Sequence, residues 1–256
     1  MKNPEKEPAF EKQEKRPFDI LGKVTIFRHG ETKYTEQYPD LTEIGKQQLE
    51  EGGEELKEEI DRSKEEIWIS SSPAARAQGS ADILAKELGI KDKRIAKALR
   101  GVEIRDREEA LKMINDIIGP EQDIAKMDKA YADDPQFEER VDVWEPRSEV
   151  EKRTLKGIEI ITRLFTRYGK QEKNKIPHLV SVSHYEFFNH LIRKVFNVNP
   201  DEERGIQFGE KLELTLLKKN NEEDKERVPI LVTFRGQTKE IVFDRKTRSI
   251  DIAKEE

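Results

Sequence analysis

VTIFRHGETKYTE, residues 24–36, carries an apolar run straight into Arg28-His29-Gly30-Glu31-Thr32. A short segment rich in β-branched and aromatic side chains and bounded by glycine reads as a buried strand over 23–27. Open α/β sheets bind ligands at the carboxyl ends of their strands. A strand that ends on adjacent arginine and histidine is therefore a candidate site, and Gly30 is expected to let the backbone turn tightly there.

Outward from this point the chain alternates. Residues 38–62, YPDLTEIGKQQLEEGGEELKEEIDR, read as a helix capped by Asp40 or Thr42, with Glu43 favourable in the first turn. The Gly52-Gly53 pair is expected to bend or interrupt it. EIWISSS (66–72) is a second strand, after which Pro73 opens a helix to about Leu88, closed by Gly89. LVSVSH (179–184) is a third strand, followed by the helix EFFNHLIRKVF (186–196). Residues 150–169 have the clearest amphipathic stripe, through Val150, Leu155, Ile158, Ile161, Leu164, Phe165 and Tyr168. Alternation of strand and helix predicts an α/β fold: a three-layer sandwich with a mostly parallel central sheet and helices on both faces.

Three further segments differ from this frame. Residues 1–20 are charged and read as a disordered tail. Residues 105–147 are rich in acidic and basic side chains and read as an inserted cap over the pocket, within a main domain at 21–220. The end of the chain, 221–256, reads as a β-hairpin extension with Gly236 at a turn.

Composition narrows function. Of 256 residues, 40% are charged and 34% apolar, the net charge is −6, and cysteine is absent. Disulfides, zinc thiolates and thiol catalysis are thus excluded. An acidic balance argues against nucleic acid as a partner, and no run approaches the ~20 apolar residues of a membrane span. The first twenty residues lack the apolar stretch of a signal peptide, so a cytoplasmic location is expected.

The three strand ends deliver Arg28-His29, Arg76 and His184. Imidazole is a competent nucleophile, and a phosphoryl group in transfer carries negative charge on its equatorial oxygens. Arginine forks match that charge bidentately. The departing alkoxide needs a proton, which a carboxylic acid supplies.

FRHGET, LTEIGKQQ, SSPAARAQGSA and VSVSH, in that order, resemble the histidine phosphatase superfamily, the phosphoglycerate mutase-like group, over roughly residues 21–217. The resemblance implies that His29 is the phosphorylated nucleophile, that Arg28 and Arg76 bind phosphate, and that His184 is the second histidine. It implies a general acid after the second arginine, here Glu103 in ALRGVEIRDREEA, with Asp106 next. In the acid phosphatase and phytase branches the acid directly follows the second histidine; Tyr185 holds that position here, and Glu186, one residue further on, is the third candidate. Thr35 stands where the family often has asparagine and retains a hydroxyl to donate. Tyr185-Glu186 replaces the usual glycine pair. His178 and His190 belong to no motif and are expected at an edge or surface.

The expected function is metal-independent hydrolysis of a small phosphorylated substrate, a phosphoprotein included, with no cofactor. The alternatives are mutase-like phosphoryl transfer, or a phospho-ligand-binding scaffold with little catalysis.

Overall fold

The computed structural model describes residues 18–35, 37–120, 124–169, 175–198, 205–219 and 225–252. In chain order the elements are β1 (Phe18–Arg28), α1 (Glu43–Glu59), β2 (Glu65–Ser71), α2 (Ala75–Glu87), β3 (Lys93–Ile95), a 3-10 turn (Lys97–Leu99), α3 (Arg107–Ile118), α4 (Ile124–Asp133), α5 (Gln136–Glu139), α6 (Arg147–Gly169), β4 (Ile176–Ser183), α7 (Tyr185–Phe196), β5 (Lys211–Lys219), β6 (Arg227–Phe234), β7 (Gln237–Asp244) and β8 (Ser249–Ile252). No helix among the described residues is long and apolar enough to cross a membrane. Residues 1–17 of the expected tail lie outside the described residues, whereas 18–20 already belong to β1.

All eight strands form one mixed sheet in the order β3-β2-β4-β1-β5-β6-β7-β8. The expectation of a mostly parallel sheet is corrected. β3, β2, β4 and β1 pair in parallel, but β1 pairs antiparallel with β5, and β5 to β8 continue antiparallel. Connection length accounts for part of this: the short turns joining β6, β7 and β8 can only make antiparallel neighbours, whereas β5 follows the helix α7 and still runs antiparallel to β1. At the β6–β7 turn Arg235 and Gly236 have φ of 48° and 76°, the doubly left-handed geometry that closes a two-residue hairpin. The C-terminal strands are therefore a continuation of the main sheet. The charged segment after Ile104 leaves and returns through a bridge between Ile104 and Trp144, and carries α3, α4 and α5.

Alternate residues of β1 feed two apolar clusters, as a period of two requires. Val24 and Ile26 pack with Ile158 and Phe165 of α6 and with Phe188 and Leu191 of α7. Phe27 packs with Leu49 and Leu56 of α1 and with Ala77, Ala81 and Leu84 of α2. His178 is buried as well: its ring nitrogens face Thr25 Oγ1 (2.8 Å) and Glu65 Oε2 (2.6 Å), and Glu65 also takes Lys23 (2.7 Å). This polar chain ties β1, β4 and β2 together and corrects the expected edge or surface role.

Helix α1 runs unbroken through Gly52-Gly53. A Cβ at Gly52 would meet Phe27 at 2.9 Å and one at Gly53 would meet Glu87 Cβ at 3.0 Å, so these glycines permit close packing where a bend was expected. Thr42 is the cap, accepting from Gly45 N–H at 2.9 Å.

The same helix start clamps the turn after β1. Thr42 N–H donates to Glu31 O (3.1 Å), Thr42 Oγ1 donates to Glu31 Oε2 (2.6 Å), and Glu31 N–H donates to Gln48 Oε1 (2.9 Å). Leu41 bridges to Thr32. Gly30 and Gly45 face each other so closely that a Cβ on either would overlap the other segment's backbone. Gly30 has no positive φ, so its role is this contact and not the tight turn expected.

Helix propensity alone favours alanine over glycine by about 1 kcal/mol. Gly157, in α6, has open space where its Cβ would be, so Gly157→Ala should raise stability by up to about that amount. Gly45→Ala should instead destabilise, by roughly 1–3 kcal/mol or more, because the overlap is with backbone. Urea titration of the two variants separates these signs, and a stabilised Gly45→Ala would refute the clamp.

Candidate active site

Register brings the three strand ends together. Arg28 of β1 pairs with Ser183 of β4, and Ser71 of β2 pairs with Val182. His29 N–H donates to Ser183 O (3.0 Å) and Ser72 N–H to Val182 O (3.0 Å). Thus His29, His184 and the start of α2, which carries Arg76, leave the sheet side by side. The rings of His29 and His184 are edge-on with centroids 5.0 Å apart.

His29 is only 3% exposed. Its Nδ1 lies 2.8 Å from the carbonyl oxygen of Gly30. A carbonyl can only accept, so Nδ1 carries the proton and the lone pair of a neutral ring resides on Nε2. Burial first, then the charges of Arg76 and Arg28, hold its pKa well below the ordinary histidine value. The imidazole is therefore neutral in the physiological range and presents an unprotonated nitrogen. His184, 2% exposed, is also held neutral by burial, by His29 and by both arginines. Its Nε2 lies 2.7 Å from Ser72 Oγ. His184 caps α7, whose dipole places partial positive charge at the same spot.

Arg28 is buried and crowded. Nη1 donates to Ile206 O (2.7 Å) and to Asp128 Oδ2 (2.8 Å), and the guanidinium lies over the rings of Phe208 and Tyr185 at 4.1 and 5.2 Å. Its Nε–H is buried with no hydrogen-bond partner among the described residues. An unmatched buried donor costs about 1–3 kcal/mol, which an oxyanion would relieve. Asp128 comes from α4. Burial, with a smaller push from Glu186 and against the pull of Arg28, raises its pKa to about 6.

The structure does not bring together every residue that the sequence points to. Thr35 is exposed, and both its amide and its hydroxyl donate to Asp40 Oδ1 at 2.7 Å, so it braces the loop and does not face the histidines. Its neighbour Tyr34 takes that place: the ring lies 5.5 Å from the Arg76 guanidinium, and the backbone is left-handed (φ 54°), a costly state for a bulky residue. The Glu103 carboxylate is 56% exposed and paired with Arg100 (2.9 Å). Asp106 caps α3. Neither meets the histidine pair. Glu186, in the first turn of α7, and His184 both border the open face of Gly101. Asp128, Phe208 and Ser72 were not singled out in the sequence; only Ser72, inside SSPAARAQGSA, lay within a motif. Among the described residues no group of three or more His, Asp or Glu side chains is set to hold a metal ion.

The arrangement offers a neutral imidazole nitrogen, two fixed cations, a second imidazole and a helix start, all aimed at one small volume. That is what phosphoryl transfer to nitrogen requires.

The family model of the histidine phosphatase superfamily, branch 1, matches residues 24–228. No curated protein matches the sequence. Among solved structures, a mycobacterial glucosyl-3-phosphoglycerate phosphatase is similar with a TM-score of 0.56 at 19% identity, covering 83% of this chain and 97% of that one. A protein described as mycobacterial hydrolase 2 gives 0.59 at 18% identity, covering 85% and 91%. At these identities the likeness is one of fold.

Asp128 occupies the Arg28 fork that a phosphate would use. Asp128→Asn should tighten inorganic phosphate binding about tenfold near pH 8, the scale of one charged hydrogen bond. A carboxyl whose pKa is raised to about 6 takes up its proton as pH falls through that value, so the advantage of the variant should vanish below about pH 5. Calorimetric titration of both proteins at matched pH cancels the ligand's own ionisation. An unchanged ratio across that range would contradict the competition.

Proposed function

The chain belongs to the histidine phosphatase superfamily, branch 1, and from that premise we propose that it hydrolyses phosphomonoesters through a phosphohistidine on His29, without a metal ion. The observation that carries this reading is the bond from His29 Nδ1 to Gly30 O, which leaves Nε2 free in a ring that burial and two arginines keep unprotonated. A nucleophile needs its lone pair available before the substrate arrives.

Arg28 and Arg76 would bind the phosphoryl oxygens, Arg28 by giving up Asp128 and engaging its unmatched Nε–H. His184 would donate to the same group once the phosphate supplies an acceptor charge. As Nε2 of His29 bonds to phosphorus, the ester oxygen departs on the opposite side, and the equatorial oxygens gather charge between the guanidinium groups. Water then attacks the phosphohistidine and regenerates the free imidazole. Near-complete burial strengthens each electrostatic contact, since the site is shielded from bulk water.

The test is hydrolysis of nitrophenyl phosphate with a chelator present. Wild type should turn over, and His29→Ala should lower kcat/KM by about a thousandfold or more. Retention of more than about a tenth of the activity would sink the mechanism. Arg76→Ala should lower kcat by about 10²–10³, because its charge is needed most in the transition state.

A further inference from the structure

The proton for the leaving oxygen must come from some acid at the site, and the sequence offset that points to Glu103 leads to an exposed carboxylate already paired with Arg100. Two residues earlier in the same loop, Gly101 faces His184. A Cβ built on Gly101 would lie 3.2 Å from His184 Cγ and 3.5 Å from Glu186 Oε2. The missing side chain at 101 is thus the space that the Glu186 carboxylate borders. The loop is held there by Arg153, which donates to the carbonyls of Ala98 (2.9 Å), Arg100 (2.8 Å) and Gly101 (3.2 Å).

We propose that Glu186 is the acid–base group of this site, protonating the leaving oxygen in the first half of the reaction and activating water in the second. This rests on the phosphohistidine reading given above. Three observations carry it. Glu186 Oε2 is buried and has no hydrogen-bond partner among the described residues, and an unmatched buried oxygen calls for a reason such as a catalytic role. Glu186 stands in the first turn of α7, two residues after His184, so the backbone that places the second imidazole also places this carboxylate. Third, its charge reaches the groups around Arg28. Burial is the main cause that pushes up the pKa values of Asp128, Tyr131 and Tyr185, and Glu186 adds to each.

Glu186 also lines a cavity of about 480 Å³ with Tyr131, Asn189, His190, Arg193 and Lys194. Glu186 thus borders both the space at Gly101, beside His184, and a cavity able to take the alcohol part of a substrate. Asp128 is not the donor, because both its oxygens face Arg28 at 2.8 and 3.4 Å, the fork that the phosphate must claim.

His29 Nε2 gives its lone pair to phosphorus, the P–O(R) bond breaks with its electrons on oxygen, and the Glu186 carboxylic acid transfers its proton to that oxygen, releasing ROH. Glu186, now a carboxylate, takes a proton from water as the water oxygen bonds to phosphorus. The P–N bond breaks, its electrons return to Nε2, and phosphate leaves with Glu186 protonated again.

The experiment compares wild type, Glu186→Gln and Glu103→Gln on dinitrophenyl, nitrophenyl and phenyl phosphate. Phosphate binding by each variant serves as the check on folding. With phenyl phosphate, whose leaving group needs a proton, Glu186→Gln should lose about 10²–10³ in kcat/KM. With dinitrophenyl phosphate, whose leaving group does not, kcat/KM should fall only a few-fold, and rapid mixing should show a burst of one phenolate per enzyme before slow turnover. Glu103→Gln should follow wild type throughout. A loss in Glu186→Gln that is equal for all three esters, or a leaving-group-dependent loss in Glu103→Gln instead, would overturn the assignment while leaving His29 in place. Absence of wild-type turnover on every ester would overturn the parent reading and this one with it.

Discussion

A guanidinium removed from water costs several kcal/mol unless it is paired, and Arg28 is 3% exposed at the end of a central strand. Much of the surrounding structure meets that cost. Ile206 O and Asp128 accept from it, and the faces of Phe208 and Tyr185 cover it. Its remaining Nε–H is left unmatched. Burial first, and then the same charge with that of Arg76, lowers the pKa of His29, so the surroundings that keep this imidazole neutral also hold a buried Arg28 donor able to bind an anion. The cost of preorganisation is met in folding, before any substrate binds.

Asp128 connects this centre to the inserted segment. Its helix, α4, belongs to the excursion that begins after Ile104, and its carboxylate pairs with the Arg28 guanidinium at 2.8 Å. In the proposed reaction a phosphate would exchange with that carboxylate.

Most of the frame was legible in the sequence because short apolar runs and their bounding residues obey local rules. The ends of β1, β2 and β4 and the cap at Thr42 are of this kind. LTEIGKQQ also turns out to have a stereochemical meaning, since Leu41, Thr42, Gly45 and Gln48 each touch the turn that carries His29. What escaped was set by long-range pairing or by direction. The antiparallel partner of β1 is β5, nearly two hundred residues away, and no periodicity announces it. Gly52 and Gly53 looked like breakers because the surfaces of Phe27 and Glu87 that need them are distant in sequence. Thr35 and Glu103 fell at plausible offsets from their motifs, but the loop turns their side chains toward Asp40 and Arg100. Glu186 was visible as one acid among many; only the open face of Gly101 gives its position meaning.

In the proposed reaction phosphorus bonds covalently to His29 Nε2. This bond is tested most directly by mixing the protein with nitrophenyl phosphate and chelator, quenching in alkali during turnover, and locating any added phosphoryl group by peptide mass spectrometry. A single phosphoryl group on His29 is expected, surviving base and lost in mild acid, as a phosphoramidate must be. Turnover with no such adduct, or an adduct on another residue, would contradict the proposed reaction.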